Sequence, residues 1–420
     1  MAQLEPLPLD RLRWTCDAEQ FDFDTTDELD DLDEVLGQDR AVDAIEFGIS
    51  IHQHGYNLFA LGPPGTGKHD VIRKFLDKRA AEEDTPSDLC YVHNFQNPKE
   101  PKSLTVPAGV GEPFRQDMNE LIDELKAAIP AAFESEDFQT RRQAINEEFQ
   151  EKQDTAFQEI QEEAEEKNIT ILRTPSGIAL APVRDGEVIP PGEFDQLEEE
   201  EREKVEEKIK NLQKRFQSAL QEAPTWERER REKLRELSED VTGFAVDELF
   251  AELRDEYADY EQILEHLDAV EEDVVEHAEW FIQAKQMEAA GPLQQLQQQQ
   301  SQGGPQMGRP QQQQGQPGPG ADGGGEVEFR RYKVNVLVDN SELDGAPVVY
   351  EDDPTLEKLT GKVEHIAQFG ALMTDFNLIR PGALHKANGG YLMLDARKVL
   401  MHQLSWEQLK RSLHSEQARI

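Results

Sequence analysis

The sequence predicts an α/β protein: a P-loop core with a parallel sheet, interrupted by a long antiparallel coiled-coil, helical insertion with a small β tip. Three observations predict it. The run Gly62-Pro63-Pro64-Gly65-Thr66-Gly67-Lys68 stands between an apolar stretch and a helical pattern. Two Glu-rich helical stretches, roughly 113–167 and 194–284, carry apolar stripes at heptad-like spacing. Late in the chain, the apolar run Tyr391-Leu392-Met393-Leu394 ends in Asp395.

At 420 residues the chain is long enough for two or three domains. It carries 87 Asp and Glu against 44 Lys and Arg, a net charge of -43. Such a surface repels phosphate backbones and anionic membranes, so nucleic acid is disfavoured as a partner. Long solvated helices explain the charge, and a surface suited to high salt is a second reading. Cys16 and Cys90 make neither a disulfide framework nor a metal cluster, which points to a reducing, cytoplasmic compartment. Met1 to Asp10 lacks the basic and apolar regions of a signal peptide, and no run approaches ~18 apolar residues, so no membrane span is expected.

In chain order, residues 1–36 form an acidic N-terminal lead-in. Leu12, Trp14, Phe21 and Phe23 are expected to pack on the body, and Thr25 to Leu29 has the pattern of a helix start. Residues 37–111 form the first part of the core. Gly37-Gln38-Asp39-Arg40-Ala41 opens an amphipathic helix through Val42, Ile45, Phe47 and Ile49. Tyr56 to Leu61 is expected to be a buried strand, and Val71 to Leu76 a helix. Strand, glycine loop, lysine and helix together make a phosphate-binding loop. Its backbone N–H groups turn inward around a triphosphate, the helix N-terminus adds partial positive charge, and Lys68 reaches the β- and γ-phosphates. His69 stands where a Ser or Thr hydroxyl normally holds Mg²⁺. Leu89 to Val92 is a second strand, and Leu104 to Gly109 a short strand and turn.

Residues 112–290 form the helical insertion. Val205, Ile209, Leu212, Phe216 and Ala219 make an a/d seam, which Leu234, Leu237, Val241 and Phe244 continue beyond Pro224. Phe138, Ile145, Phe149, Ala156 and Ile160 make a looser stripe in the first stretch. Between the stripes, near 169–191, turn signals at Pro175-Ser176-Gly177 and Arg184-Asp185-Gly186-Glu187 mark the β tip. That tip either touches a partner or caps two helices. Residues 291–325 read as a disordered Gln/Gly/Pro linker. Residues 326–420 form the second part of the core, with strands at Tyr332 to Asp339, Pro347 to Tyr350 and Tyr391 to Leu394, and a closing helix at Trp406 to Leu413. The last strand has a Walker B pattern, a central parallel strand whose Asp395 holds Mg²⁺ directly or through water. Ala396 follows where a water-orienting Glu is usual, leaving Asp375 or Glu407 as substitutes.

With both motifs placed, the chain resembles the AAA+ ATPase part of a Lon-type ATP-dependent protease, closest to a Lon-like subgroup with a long helical insertion. The resemblance rests on Leu12-Arg13-Trp14-Thr15-Cys16, Gly37 to Ala41, Gly55-Tyr56-Asn57, Tyr332 to Asp339 and, most strongly, Gly370 through Gly382 to Arg397. It implies ATP and Mg²⁺ as cofactors, with Gly62, Pro63, Pro64, Gly65, Thr66, Gly67, Lys68 and His69 at the nucleotide and Asp395 at the metal. It also implies a homo-oligomeric ring that unfolds protein substrates and feeds them to a Ser/Lys peptidase domain. Later ATPase elements and that peptidase domain are not seen before Ile420, so no catalytic Ser or Lys is assigned. The resemblance also implies that an Asp-Ala pair at the end of the Walker B strand is common in the subgroup, which would make Ala396 a shared trait. Phe369-Gly370 is a candidate substrate grip. Two rivals remain. A coiled-coil chromosome or DNA-repair ATPase would carry a Leu-Ser-Gly-Gly signature, where this chain has Lys386-Ala387-Asn388-Gly389-Gly390. A nucleotide-binding scaffold without hydrolysis would accommodate His69 and Ala396.

Overall fold

A computed structural model of the chain describes residues 7–8, 12–13, 15–29, 38–51, 53, 55–63, 65–174, 177–184, 187–189, 199–287, 329–368 and 371–420. Trp14, Pro64, the hairpin turns at Pro175-Ser176 and Asp185-Gly186, the linker 291–325 and Phe369-Gly370 lie outside the described residues.

The elements run α1 (Asp39–Ser50), α2 (Lys68–Ala80), β1 (Asp88–Val92), β2 (Lys102–Val106), α3 (Gly111–Glu134) and α4 (Glu136–Glu166). Then come β3 (Ile169–Thr174), β4 (Gly177–Arg184), β5 (Glu187–Val188), α5 (Glu199–Glu256) and α6 (Glu261–Glu276). Past the linker follow β6 (Asn335–Val338), β7 (Val348–Glu351), α7 (Leu356–Thr360), β8 (Lys362–Val363), β9 (Ile366–Gln368) and β10 (Ala371–Met373). The last are β11 (Ile379–Arg380), α8 (Ala383–Lys386), β12 (Tyr391–Leu394), α9 (Ala396–Met401) and α10 (Gln403–Ser415).

The main core joins sheet and helices. β1 alternates inward at Asp88, Cys90 and Val92, as a half-buried strand must. It lies between β2 and β6 and pairs antiparallel with both, Cys90 facing Leu104 on one side and Val336 on the other. A parallel arrangement of β1 and β2 is precluded by their link, residues 93–101, which is shorter than the dozen or so residues a crossover needs. α3 buries Phe114, Met118, Leu121, Ile122, Leu125 and Ile129, a stripe at helical spacing. That stripe packs against the sheet, against Val246 and Phe250 of α5, and against Ile263, Leu267, Val270 and Val274 of α6. The core therefore runs across residue 112, and Tyr332 and Val334 beyond the linker complete it.

α4 and α5 form an antiparallel helical hairpin. Arg215 bonds Glu163, Arg230 Nη1 donates to Asn146 Oδ1 at 3.0 Å, and Lys233 Nζ donates to Glu148 Oε2 at 2.7 Å. The partner of Arg215 thus lies near the end of α4, and those of Arg230 and Lys233 lie more than a dozen residues earlier. Part of the predicted stripe is buried: Leu212 lies with Ile160, Ala164 and Ile169, and Ile209, Phe216 and Ala219 pack on them. α5 continues through Pro224 without a break. Its seam does not reach Phe244, which is 86% exposed. Thr242, Val246 and Phe250 face inward instead, because a straight helix drifts from a strict heptad and the inward face shifts. At the far end β3 and β4 pair antiparallel, Ile171 facing Leu180, and β5 adds to β4.

Three further expectations are corrected. Tyr56 to Leu61 is not a buried strand: it forms no ladder, and Phe59 and Leu61 are 70% and 87% exposed. An apolar run becomes a strand only when neighbours take up its backbone groups, and no described strand pairs with it. A parallel sheet core is not present among the described residues, where the one parallel pair is β7 with β12. Leu12 and Phe21 are exposed rather than packed on the body, and Phe47 points outward from α1, which buries no residue.

Candidate functional site

The glycine loop is positioned by the way α2 lies on the β7–β12 pair. Beyond the C-terminus of α2, Tyr391 Oη donates to Glu83 Oε1 at 2.9 Å. Ala346 N, just before β7, donates to Ala80 O at 2.9 Å. Gly345 permits that approach, since a Cβ there would stand 2.2 Å from Ala80 O. At the N-terminus of α2 the His69 ring packs edge-on against Tyr350, with centroids 4.3 Å apart. Ala346 and Tyr391 mark the starts of the strands, whereas Tyr350 pairs with Met393 near their ends. α2 therefore runs antiparallel to both strands, and the loop lies at their carboxyl end. Asp395, which follows β12, is at that same end. Ligands of α/β sheets bind in this position.

Two glycines of the loop take left-handed backbone. Gly65 and Gly67 take φ of 75° and 67°, a region costly for residues with a Cβ, and no atom lies within 4 Å of where that Cβ would stand. Thr66 Oγ1 donates to Pro63 O at 3.0 Å and closes the turn. Lys68 Nζ folds back over the loop and donates to Gly62 O at 2.9 Å and Pro63 O at 2.6 Å. It is thus held at the loop by carbonyls that phosphate oxygens can replace. These residues fit a nucleotide polyphosphate; Pro64, the remaining loop residue, lies outside the described residues.

Of the two positions expected beside the metal, one offers an oxygen ligand: Asp395 keeps a carboxylate oxygen, while His69 has no hydroxyl. His69 supplies an imidazole, with Nδ1 3.2 Å from Asp70 Oδ1 and the ring against Tyr350. Asp395 Oδ1 accepts from Lys398 N at 3.1 Å, so the carboxylate caps α9. The neighbouring acids are also engaged: Glu351 accepts from Asp353 N, and Asp353 pairs with Lys358. Among the described residues no group of three His, Cys, Asp or Glu is arranged to hold a metal ion. The two substitute carboxylates are placed elsewhere, Asp375 capping the turn at Asn377 and pairing with Arg330, and Glu407 pairing with Lys410.

Sequence reasoning brought the loop and Asp395 to the site but missed Tyr350, Glu83 and Tyr391, which dock α2 on the strands. The strand patterns at Pro347 to Tyr350 and Tyr391 to Leu394 placed Tyr350 and Tyr391 on strands, but not against α2. A separate polar cleft of about 350 Å³, lined by Arg115, Lys333, Asp339 and Arg380 among others, shares no residue with the loop.

The loop and its lysine at the carboxyl end of β7 and β12 make a candidate nucleotide site. Residues 344–420 match the family described as "LonB-like, AAA domain", and residues 88–121 match "Lon-like LonC helical domain". An archaeal Lon protease of Halobacterium salinarum is 36% identical over 81 residues, 19% of this chain. The matched stretch spans 11% of that relative's length. These findings bear out the Lon-type resemblance, in two separate stretches of the chain. Among the described residues no helix is long and apolar enough to cross a membrane.

Proposed function

We propose that this chain is the ATP-binding module of a Lon-like ATP-dependent serine protease, in which ATP binding and hydrolysis are coupled to unfolding and degradation of protein substrates. The observation that carries the reading is the loop from Gly62 to Lys68 held at the carboxyl end of β7 and β12, within a chain whose residues 344–420 match a LonB-like AAA domain. Backbone N–H groups of the loop and the N-terminus of α2 bind the phosphates, and Lys68 exchanges its two carbonyl partners for phosphate oxygens. When bound, the nucleotide supplies the free energy of its terminal phosphate bond. The chain's own part is to orient that phosphate at the strand ends. Movement there passes along α2, whose two ends are tied to β7 and β12. Protein substrates and a homo-oligomeric ring are the partners this reading proposes, and cytoplasm is its compartment. Serine peptidase chemistry is assigned to no residue here.

The test is nucleotide binding and turnover by this chain beside Lys68→Ala. Binding that Lys68→Ala weakens by about a hundredfold supports the reading. Equal binding by both proteins, or none by either, sinks it.

A further inference from the structure

The loop carries phosphate-binding groups, yet the hydroxyl that usually helps to hold the accompanying metal is missing. Two positions normally supply metal ligands: a hydroxyl directly after the loop lysine and a carboxylate at the end of the neighbouring strand. Here the first is His69, whose ring is packed between Asp70 and Tyr350. The second is Asp395, with one oxygen engaged by the backbone of α9. Near the end of β7, Glu351 accepts from Asp353 N and Asp353 pairs with Lys358. Replacement of a hydroxyl by imidazole matters physically. Mg²⁺ is hard, demands near-octahedral oxygen ligands and dehydrates reluctantly. An imidazole held by a ring contact is both the wrong donor and the wrong shape.

We propose that the loop binds the polyphosphate of a nucleotide with no gain in affinity from Mg²⁺, because His69 withholds the hydroxyl that would hold the metal. The inference rests on the nucleotide reading above and deepens it. Phosphate charge is balanced by Lys68, by the loop's backbone N–H groups and by the N-terminus of α2, none of which needs a metal. Two consequences follow. Removal of Mg²⁺ leaves affinity almost unchanged. ADP and ATP bind alike, because the extra charge of the γ-phosphate meets no cation beyond Lys68 in a chain of net charge -43.

Isothermal titration of the full chain with ATP and with ADP, in buffer with MgCl₂ and in buffer with EDTA, tests this. The expected result is that the four dissociation constants agree within about threefold. His69→Thr restores a hydroxyl beside Lys68 and should make ATP binding about tenfold or more tighter in Mg²⁺ than in EDTA. Circular dichroism of the variant checks that α2 is retained. ATP binding by the unaltered chain that tightens about tenfold or more with Mg²⁺ overturns the proposal while leaving the nucleotide reading intact. Absence of binding in both buffers overturns the two together. A His69→Thr protein as indifferent to metal as the parent removes His69 as the cause.

Discussion

At the scale of single residues, two buried polar groups govern the main core. Asp88 is fully buried and accepts from Gly109 N at 2.9 Å, Gly111 N at 3.0 Å and Asn340 N at 2.8 Å. One carboxylate thus joins the start of β1, the start of α3 and the end of β6. Asp88→Ala strands two buried amides and one half-buried one, and since each buried one costs about 1–3 kcal/mol, urea unfolding should show a loss of at least about 2 kcal/mol. Cys90, beside it, is pushed up to about 12 by burial and then by the Asp88 charge, so the thiol stays protonated and inert. His266 on α6 is fully buried near the rings of Phe95 and Phe114, and its Nε2 has no partner among the described residues. Burial first, and then the charges of Lys102 and His93, lower it from 6.5 to about 3. Between those values the unfolded chain binds a proton that the folded one refuses. The neutral imidazole therefore costs nothing above pH 6.5, and stability falls as pH drops from there toward 3. The slope amounts to at most on the order of 5 kcal/mol. Urea midpoints measured from pH 7 to about pH 4 should fall more steeply for the parent than for His266→Leu, and parallel curves would refute this.

At the scale of elements, the helical hairpin shows which of its contacts matter. Leu212 is fully buried between Ile160 and Ile169, so Leu212→Ala should cost about 2–5 kcal/mol. The loss should appear by hydrogen exchange in α4, the far half of α5 and the β tip, while α3 and α6 stay protected. Lys233 and Glu148, by contrast, are both more than a third exposed. Their pairing holds the Glu148 carboxyl below its usual range, but water and salt screen it. Lys233→Ala should leave the hairpin's melting unchanged, and a marked loss would show that the pair is more than register. The same contrast holds at the site. α2 is held along β7 and β12 by Glu83–Tyr391 and by Ala346–Ala80, so Tyr391→Phe should weaken nucleotide binding modestly without touching the loop. Unaltered affinity would mean that the loop keeps its place without this bond.

At the scale of the whole molecule, charge is the dominant feature. With a net charge of -43 the folded chain repels itself, and added salt screens that repulsion over about 10 Å at 0.1 M. Thermal unfolding should therefore move upward as NaCl rises, most steeply at low ionic strength. A melting temperature indifferent to salt would show that the acids are spaced widely enough along the exposed helices to be neutral to stability. The exposed aromatic and aliphatic side chains at Phe47, Tyr56, Phe59 and Leu61 cluster in sequence around the loop and set this region apart from the acidic surface elsewhere.

How much of this was legible in the sequence differs from element to element. The helices of the insertion, the β tip and the loop with its lysine follow from periodicity and turn chemistry, which are local properties: the seam at Leu212 and the left-handed glycines at Gly65 and Gly67 needed no tertiary information. The Lon-type likeness rested on contiguous motifs and was equally legible. What only the tertiary structure decided are matters of pairing. An apolar run such as Tyr56 to Leu61 has strand character by itself, but its burial depends on neighbours that sequence periodicity does not specify. The antiparallel seat of β1 between β2 and β6, the single core that joins sheet to insertion, and the docking of α2 by Glu83 and Tyr391 all join residues far apart in the chain. Asp395 shows the limit most clearly. A carboxylate at the end of a strand reads as a metal ligand, yet the same oxygen can cap the following helix, and only the fold determines which amide or ion it meets.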